Sequence, residues 1–412
     1  MNIPIQDSHG ALRAALAAFA AFLLVTGCGG GGGGSESSTA TKPGTAFTQG
    51  TITGFGSIIV NGVRFDESAA QVMDDDDQAR DPNELKLGMI VEVESSGINR
   101  GSMTAKASRV RFGAAIVGPV SAINAGTTPR TLTVLDQIVE VRNTTVFDEL
   151  PNGLGSIKVG DVLEIHALFD ATTGHYLAKR IEPKPGATVF KLRGIVASLD
   201  LAAKTFKIGG ALIDFSAIAA NDLPGNFANG MRVRVRLQTA KNARGAWVAL
   251  SIRAEERRVE NEDEAEVRGI ITEFTSLASF SVNGLPVDAG NAAFPDGTSG
   301  VKLGANVEVE GKIVNGVLVA TKVELEDEHE DRDRNELHGA ISGLDTQAKT
   351  FVVRGVTVHY SATTVFEDGV AANLANGRQV EVKGSLGADG TTVEASRIEF
   401  ESGKSQNLTP TM

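Results

Sequence analysis

The chain has 412 residues, 42% of them hydrophobic and 22% charged, and a net charge of -12. That length is enough for about two to four domains, the composition excludes disorder throughout, and the acidic balance argues against a general binder of polyanions. The unusual entries are 47 glycines, and 18 phenylalanines against two tyrosines and one tryptophan.

Taken from its start, the chain first shows an apolar run over residues 14–26, AALAAFAAFLLVT, too short to span a bilayer and placed where a signal-peptide core sits. It ends in Leu24-Val25-Thr26-Gly27-Cys28, which resembles the lipobox of bacterial lipoproteins. The resemblance implies a signal peptide over 1–27, cleavage after Gly27, and thioether lipidation and acylation (palmitate-type chains) of Cys28, the one cysteine. Gly29 stands where an aspartate would imply inner-membrane retention, so the expected address is the outer membrane of the cell envelope. With one cysteine no internal disulfide can form, and stability must come from packing. Residues 28–48, opening on Gly29 to Gly34, read as a flexible tether.

Beyond the tether one plan recurs five times. Gly50, Gly118, Gly194, Gly269 and Gly339, spaced 68 to 76 residues apart, each precede an apolar segment. Period-two alternation then marks half-buried strands: Val91 and Val93, Leu163 and Ile165, Val233 and Val235, Val307 and Val309, and Val380 and Val382 are expected to face a core. An earlier hairpin carries Ile58 and Val60, Phe206 and Ile208, Phe280 and Val282, and Phe351 and Val353, followed by Asn61-Gly62, Gly209-Gly210, Asn283-Gly284 and Arg354-Gly355. Asparagine and glycine supply the positive φ that two-residue hairpin turns need. Copies this small must close their sheets to avoid open edges. The expected fold is therefore all-β: five tandem small β-barrel modules, oligonucleotide-fold-like (OB-like) or SH3-like, strung as beads over 49–112, 113–183, 188–254, 267–326 and 337–401, with acidic linkers at 255–266 and 327–336 and a tail at 402–412.

The stretch GTITGFGSIIVNGVRFD with LKLGMIVEVE and TAKASRVRF is similar to the bacterial domain-of-unknown-function 5666 family, whose members often stand in tandem behind a lipoprotein signal. The likeness implies a β fold and an envelope address and brings no catalytic residues. It is loosest in the third copy, where Gly209-Gly210 replaces the asparagine turn.

Charge divides the copies. Residues 189–254 hold ten Lys and Arg against three Asp, whereas 255–267 hold seven acids and 324–336 eight, each against two arginines. Arg232, Arg234 and Arg236 alternate along one strand and are the candidate anion-binding residues, for phospholipid or acidic polysaccharide; the alternative is a face neutralised by the acidic segments. Nucleic acid is not expected, because this copy offers only Trp247 among Trp and Tyr as a stacking platform. No metal site or cofactor is expected: Asp331, Asp333 and Asn335 open like a calcium loop but Glu336 stands where it needs glycine, Asp74 to Asp77 read as a solvated loop, and His329 and His338 read as linker residues. His166 and His359 are expected at solvent-facing or edge positions. Gly54-Phe55-Gly56 leads into a strand, which excludes a nucleotide loop. No nucleophile elbow or zinc-protease helix occurs, so no enzyme activity is expected. The sequence reads as a lipid-anchored, non-catalytic binding or scaffold protein partnered with the membrane and an envelope protein or polysaccharide. A periplasmic enzyme or accessory subunit with a site in one module is the alternative.

Overall fold

A computed structural model describes residues 44–255, 259–327 and 335–401. The signal segment, Cys28, His329, Asp331 and Asp333, and the tail lie outside the described residues.

In the first module β1 (Thr45–Phe55), β2 (Ile58–Val60), β3 (Val63–Asp66), β5 (Ile90–Ser96) and β6 (Thr104–Phe112) close a ring, and β4 (Gln71–Asp74) adds to β6. Around the ring β1 pairs β2, β2 pairs β3, β3 runs parallel to β6, β6 pairs β5, and β5 returns to β1. That order, with the third and last ring strands parallel, is the five-stranded OB barrel and decides against the SH3-like alternative. The second module repeats it with β7 (Ile116–Asn124), β8 (Arg130–Val134), β9 (Gln137–Val141), β10 (Val146–Phe147), β11 (Val162–Asp170) and β12 (His175–Pro183). The third uses β13 (Phe190–Ile195), β14 (Ala197–Asp200), β15 (Thr205–Ile208), β16 (Ala211–Asp214), β17 (Arg232–Lys241) and β18 (Trp247–Ala254), its opening strand broken at Val196. The fourth uses β19 (Glu262–Ser276), β20 (Ser279–Val282), β21 (Leu285–Asp288), β22 (Asn306–Val314) and β23 (Val317–Leu325). The fifth uses β24 (Asn335–Asp345), β25 (Thr350–Val353), β26 (Val356–His359), β27 (Val365–Glu367), β28 (Gln379–Leu386) and β29 (Thr392–Phe400).

The alternating residues named from sequence fill these barrels: Val91, Val93, Leu163, Ile165, Val233, Val235, Val307, Val309, Val380 and Val382 are all 1% exposed or less. Each such side chain contributes roughly 1.5–3 kcal/mol by leaving water. Asn61-Gly62, Asn283-Gly284 and Arg354-Gly355 hold positive φ at both turn positions, as two-residue hairpins of the I′ type require. The second module's hairpin has no such signal in its sequence. It turns on Leu135 (φ 48°) and Asp136 (φ 59°), and Leu135 is buried against Gly118 in compensation.

The repeating glycines have a shared structural duty. In every copy the opening strand leaves one neighbour and joins another two residues after its glycine: β1 pairs β5 through Thr51 and β2 from Ile52, and the change falls likewise at Val120, Val196, Ile271 and Ile341. These five residues are at most 2% exposed. The hairpin turn folds back over the glycine at the bend. A Cβ at Gly50 would sit 2.0 Å from Asn61 Oδ1, and one at Gly269 would sit 2.0 Å from Asn283 Nδ2. The turn amides donate to Gln49 O and Arg268 O at 3.1 Å in return.

Main-chain ladders answer how the barrels join, which the repeats alone leave open: the described residues fall in one compact unit, with strands pairing between barrels. β1 lies parallel to β19 from Ala46–Glu264 to Gln49–Val267 and parallel to β24 at Gly54–Glu336 and Phe55–Leu337; β7 pairs β13 at Val117–Lys191 and Ile116–Leu192. Residues 45–48, expected in the tether, belong to β1, and Phe47 is 2% exposed within the fourth module's core. Residues 262–266 and 335–336, expected in acidic linkers, are strand residues, and Glu264 to Glu266 and Glu336 take part in these ladders. Ile90, Leu168, Leu177 and Ile270 form an apolar contact among the first, second and fourth modules.

Replacing Gly50 by alanine is expected to cost about 1–3 kcal/mol in urea unfolding, because the new methyl displaces the Asn61 amide from its bond to Gln49 O. Adding Asn61→Gly should recover most of that loss. Equal destabilisation of the single and double variants would show that the turn does not seat on the glycine.

Candidate functional site

The first, second, third and fourth barrels converge on a cavity of about 440 Å³. From the first module it is lined by Asp75, Glu92, Glu94, Arg109 and Arg111, which project from the turn after β4, from β5 and from β6. The second contributes Ala167, Phe169 and Tyr176, and the third Arg193, Arg232, Arg234 and Glu255. Asn283, in the fourth module's hairpin turn, closes over this end, and the adjacent Gly284 is close enough that a Cβ would sit 2.9 Å from Arg232 Nε.

Strand register explains the concentration of arginines. Arg193 on β13, Arg234 on β17 and Arg253 on β18 stand directly opposite one another, with Lys191 opposite Arg236 in the next row. Like charges so placed repel unless carboxylates reach them. The turn Asp74 to Asp77 of the first module supplies those carboxylates: Asp75 lies 2.9 Å from Arg193 and 3.1 Å from Lys191, and Asp76 lies 2.8 Å from Lys191, while Asp77 pairs within its own module, 2.5 Å from Arg111. Glu255 accepts from Arg193 at 3.0 Å. Gly113 makes room for this cluster, since a Cβ there would meet Arg193 Nη2 at 2.4 Å and Asp75 Cγ at 2.6 Å. Burial works to raise Asp75, but the charges of Arg193 and Lys191 outweigh it and hold the carboxyl below its usual range.

The three arginines singled out from sequence separate. Arg232 and Arg234 are half-buried and line the cavity; Arg236 is exposed and does not. The aspartate turn, read from sequence as solvated, is an inter-module ion-pair partner of the basic face. Sequence reasoning did not connect the two because they lie more than a hundred residues apart.

Histidines also depart from expectation. His166 is fully buried, with Glu164 Oε1 3.5 Å from its Nε2. The β-bulge that follows it in the β11–β12 ladder shifts the alternation that made it look solvent-facing. His338, read as a linker residue, is a buried β24 residue where the first and fifth modules meet. With Glu336 and Glu381 it offers three ligand atoms within 4.8 Å of one another. Arg64 of the first module occupies this cluster: its Nη2 pairs with Glu336 and lies 2.8 Å from His338 Nε2. The bond to His338, with the Lys383 and Arg64 charges, pulls Glu336 down to about 2. His359 lies half-exposed on β26, 2.6 Å from Glu394.

At the ladder between the first and fourth modules, Glu266 is 2% exposed with Arg100 Nη1 at 3.4 Å. Burial, followed by the Glu308 charge, pushes it up to about 7.

The domain-of-unknown-function 5666 family matches residues 49–107, 117–182, 268–324 and 338–399. Those are the first, second, fourth and fifth barrels; the third, with its broken opening strand and Gly209-Gly210 turn, is not matched. No curated protein matches. Among solved structures, a Drosophila chain titled Unr CSD456 is 14% identical over 52% of this chain and 98% of its own, with a TM-score of 0.13. A Streptococcus pneumoniae multidomain protein with nucleic acid binding domains is 9% identical over 52% of this chain and 73% of its own, also with a TM-score of 0.13. At that level neither likeness carries an argument about fold or ligand.

Asp75→Asn should destabilise the chain by about 2 kcal/mol, less than for a fully buried pair because its cationic partners are part-exposed. The native carboxyl is held below its unfolded value, so its contribution is present at neutral pH and lost only as acid protonates it. The wild-type and variant stabilities should therefore converge at low pH in denaturant titrations, and a constant difference would refute the pairing. Glu266 behaves oppositely. Its folded value lies above the ordinary 4.5, so its contribution is complete below that pH and fades as pH rises through about 7. Glu266→Gln should be near neutral at pH 4 and stabilising at pH 8, by at most roughly 3 kcal/mol.

Proposed function

The chain belongs to the domain-of-unknown-function 5666 family, and from that premise we propose that it is a non-catalytic binding or scaffold protein held at the bacterial outer membrane by a lipid on Cys28. The observation that carries the reading is the way the repeats are joined. Three inter-barrel ladders and an apolar contact fuse closed barrels into one body that presents fixed surfaces and an internal cavity. Pre-organised surfaces favour binding, since little ordering entropy remains to be lost on association.

The chemistry of the cavity supports a holding role over a transforming one. Asp75 is kept ionised by Arg193 and Lys191, and Glu94 accepts two bonds from Arg109 Nη1 at 2.7 and 2.8 Å. A carboxyl held below its usual range, as that of Asp75 is, makes a poor proton donor near neutrality, where a general acid needs an elevated value. For the envelope address, the support is the apolar run over residues 14–26 and the sequence Leu24-Val25-Thr26-Gly27-Cys28. Several acyl chains, at about 0.8 kcal/mol per buried methylene, suffice for stable anchoring.

Growth of a bacterial host with an alkyne palmitate analogue should label the wild-type protein in the membrane fraction. Cys28→Ser should abolish the label and release the chain from membranes. Labelling that survives the substitution, or an unlabelled wild type found in the cytosol, would overturn the envelope reading.

A further inference from the structure

Among the described residues five arginines line the inter-barrel cavity, and they are not equally partnered. Arg109 is held by Glu94, Arg111 by Asp77, and Arg193 by Asp75 and Glu255. Arg232 and Arg234 are left with what remains. Arg232 Nε is 3.8 Å from Glu255 Oε2, and Arg234 Nη1 is 3.8 Å from Asp75 Oδ2. Both carboxylates already serve Arg193, and at 3.8 Å neither contact is a hydrogen bond. Among the described residues neither guanidinium makes one, and Arg232 Nε and Nη1 are buried without a partner. A buried donor left without a bond is costly, and more so when it is charged.

The two side chains are separated by one residue on β17, so they leave the same face of the strand about 7 Å apart along it. Arg234 is the more crowded. Burial, then the like charge of Arg193, lower its affinity for its own proton. Among the described residues no other lining carboxylate pairs with them: Glu92 accepts from Gln49 Nε2 at 3.3 Å, Glu94 holds Arg109, and Glu260 is exposed.

Next to this cationic end stands an apolar wall. Tyr176 donates its hydroxyl to Arg193 O and packs its ring 5.2 Å from that of Phe169; Phe169, Ala167 and Ile90 are half-buried and line the same cavity. A volume of about 440 Å³ lies within the range of small-molecule sites and is too small for a polymer or a lipid surface.

We propose that this cavity binds one small amphipathic anion, its phosphate or carboxylate head bridging Arg232 and Arg234 and its apolar body lying against Ala167, Phe169 and Ile90. The head would take the donors that the protein leaves unmade, in the bidentate geometry that guanidinium groups offer oxyanions. Unpaired donors of this kind are a local instability of the sort that binding sites retain. The inference is independent of the envelope reading, since a chain released by Cys28→Ser would keep the cavity.

Calorimetric titration of the full chain with octyl phosphate and with octanoate tests it. One equivalent of at least one of them should bind, more tightly than inorganic phosphate or octanol, and the tighter of the two identifies the head as phosphate ester or carboxylate. Arg232→Gln with Arg234→Gln should weaken binding tenfold or more, while Arg236→Gln, outside the cavity, should leave it unchanged. The double variant relieves charge crowding, so its melting temperature is expected at or above that of the wild type. Ala167→Phe, which keeps both arginines and fills the apolar end, should also abolish binding. The proposal is overturned if neither amphiphile binds saturably, if octanol binds as tightly, or if binding survives the double arginine change or Ala167→Phe.

Discussion

Each barrel depends on one strand that serves two neighbours. The opening strand must pair the fourth long strand of the ring along its first half and the hairpin along its second, and it changes partner two residues beyond a glycine in all five copies. The bend leaves no room for a side chain where the hairpin turn returns, and the Asn61 and Asn283 amides take that space while bonding the backbone beneath. Gly50 and its counterparts are thus the hinges of ring closure. The buried valine or isoleucine that follows it pins the new register, because a slip by one residue would turn it out to solvent.

The same strand in the first module carries the assembly. β1 gives its flanks to β5 and β2 within its own barrel and to β19 and β24 of two others. Closed barrels lack free edges, so such sharing is confined to the ends of opening strands where the ring pairing has just begun or ended. Polar residues fill these joints. Thr48, Gln49 and Glu266 are almost wholly buried there, and Arg64 is set among Glu336 and His338 at the other joint. Buried polar contacts of this kind contribute little net stability but penalise every mispairing of five similar barrels, since a wrong neighbour would leave charges unmatched.

Unequal charge among the copies follows the same logic. The third barrel is basic and the turn after β4 acidic because they face each other, and Asp75 is the point at which Arg193, Lys191 and Arg234 meet. What neutralisation leaves over, two guanidinium groups and an apolar wall, defines the cavity's chemistry. The barrel order alone would not have located it, since a fold of this kind hosts many unrelated sites and function resides in the groups grafted on it.

The sequence by itself determined the repeat, the β class and the core of each barrel, because alternation and turn residues are local signals read within a few positions of one another. Val91 with Val93 and Asn61-Gly62 needed no distant partner to be understood. It hid the second module's hairpin, where Leu135 and Asp136 accept positive φ only because the barrel buries Leu135. Tertiary structure alone decided how the barrels join, that His166 is buried and His338 shared, and that Asp75 and Arg193, 118 residues apart, form one ion pair. Ion pairs and inter-barrel ladders bring together residues that no spacing rule relates. For that reason Arg232 and Arg234 could be named as candidates from their alternation, while their separation from Arg236 and their enclosure in a cavity required the folded chain.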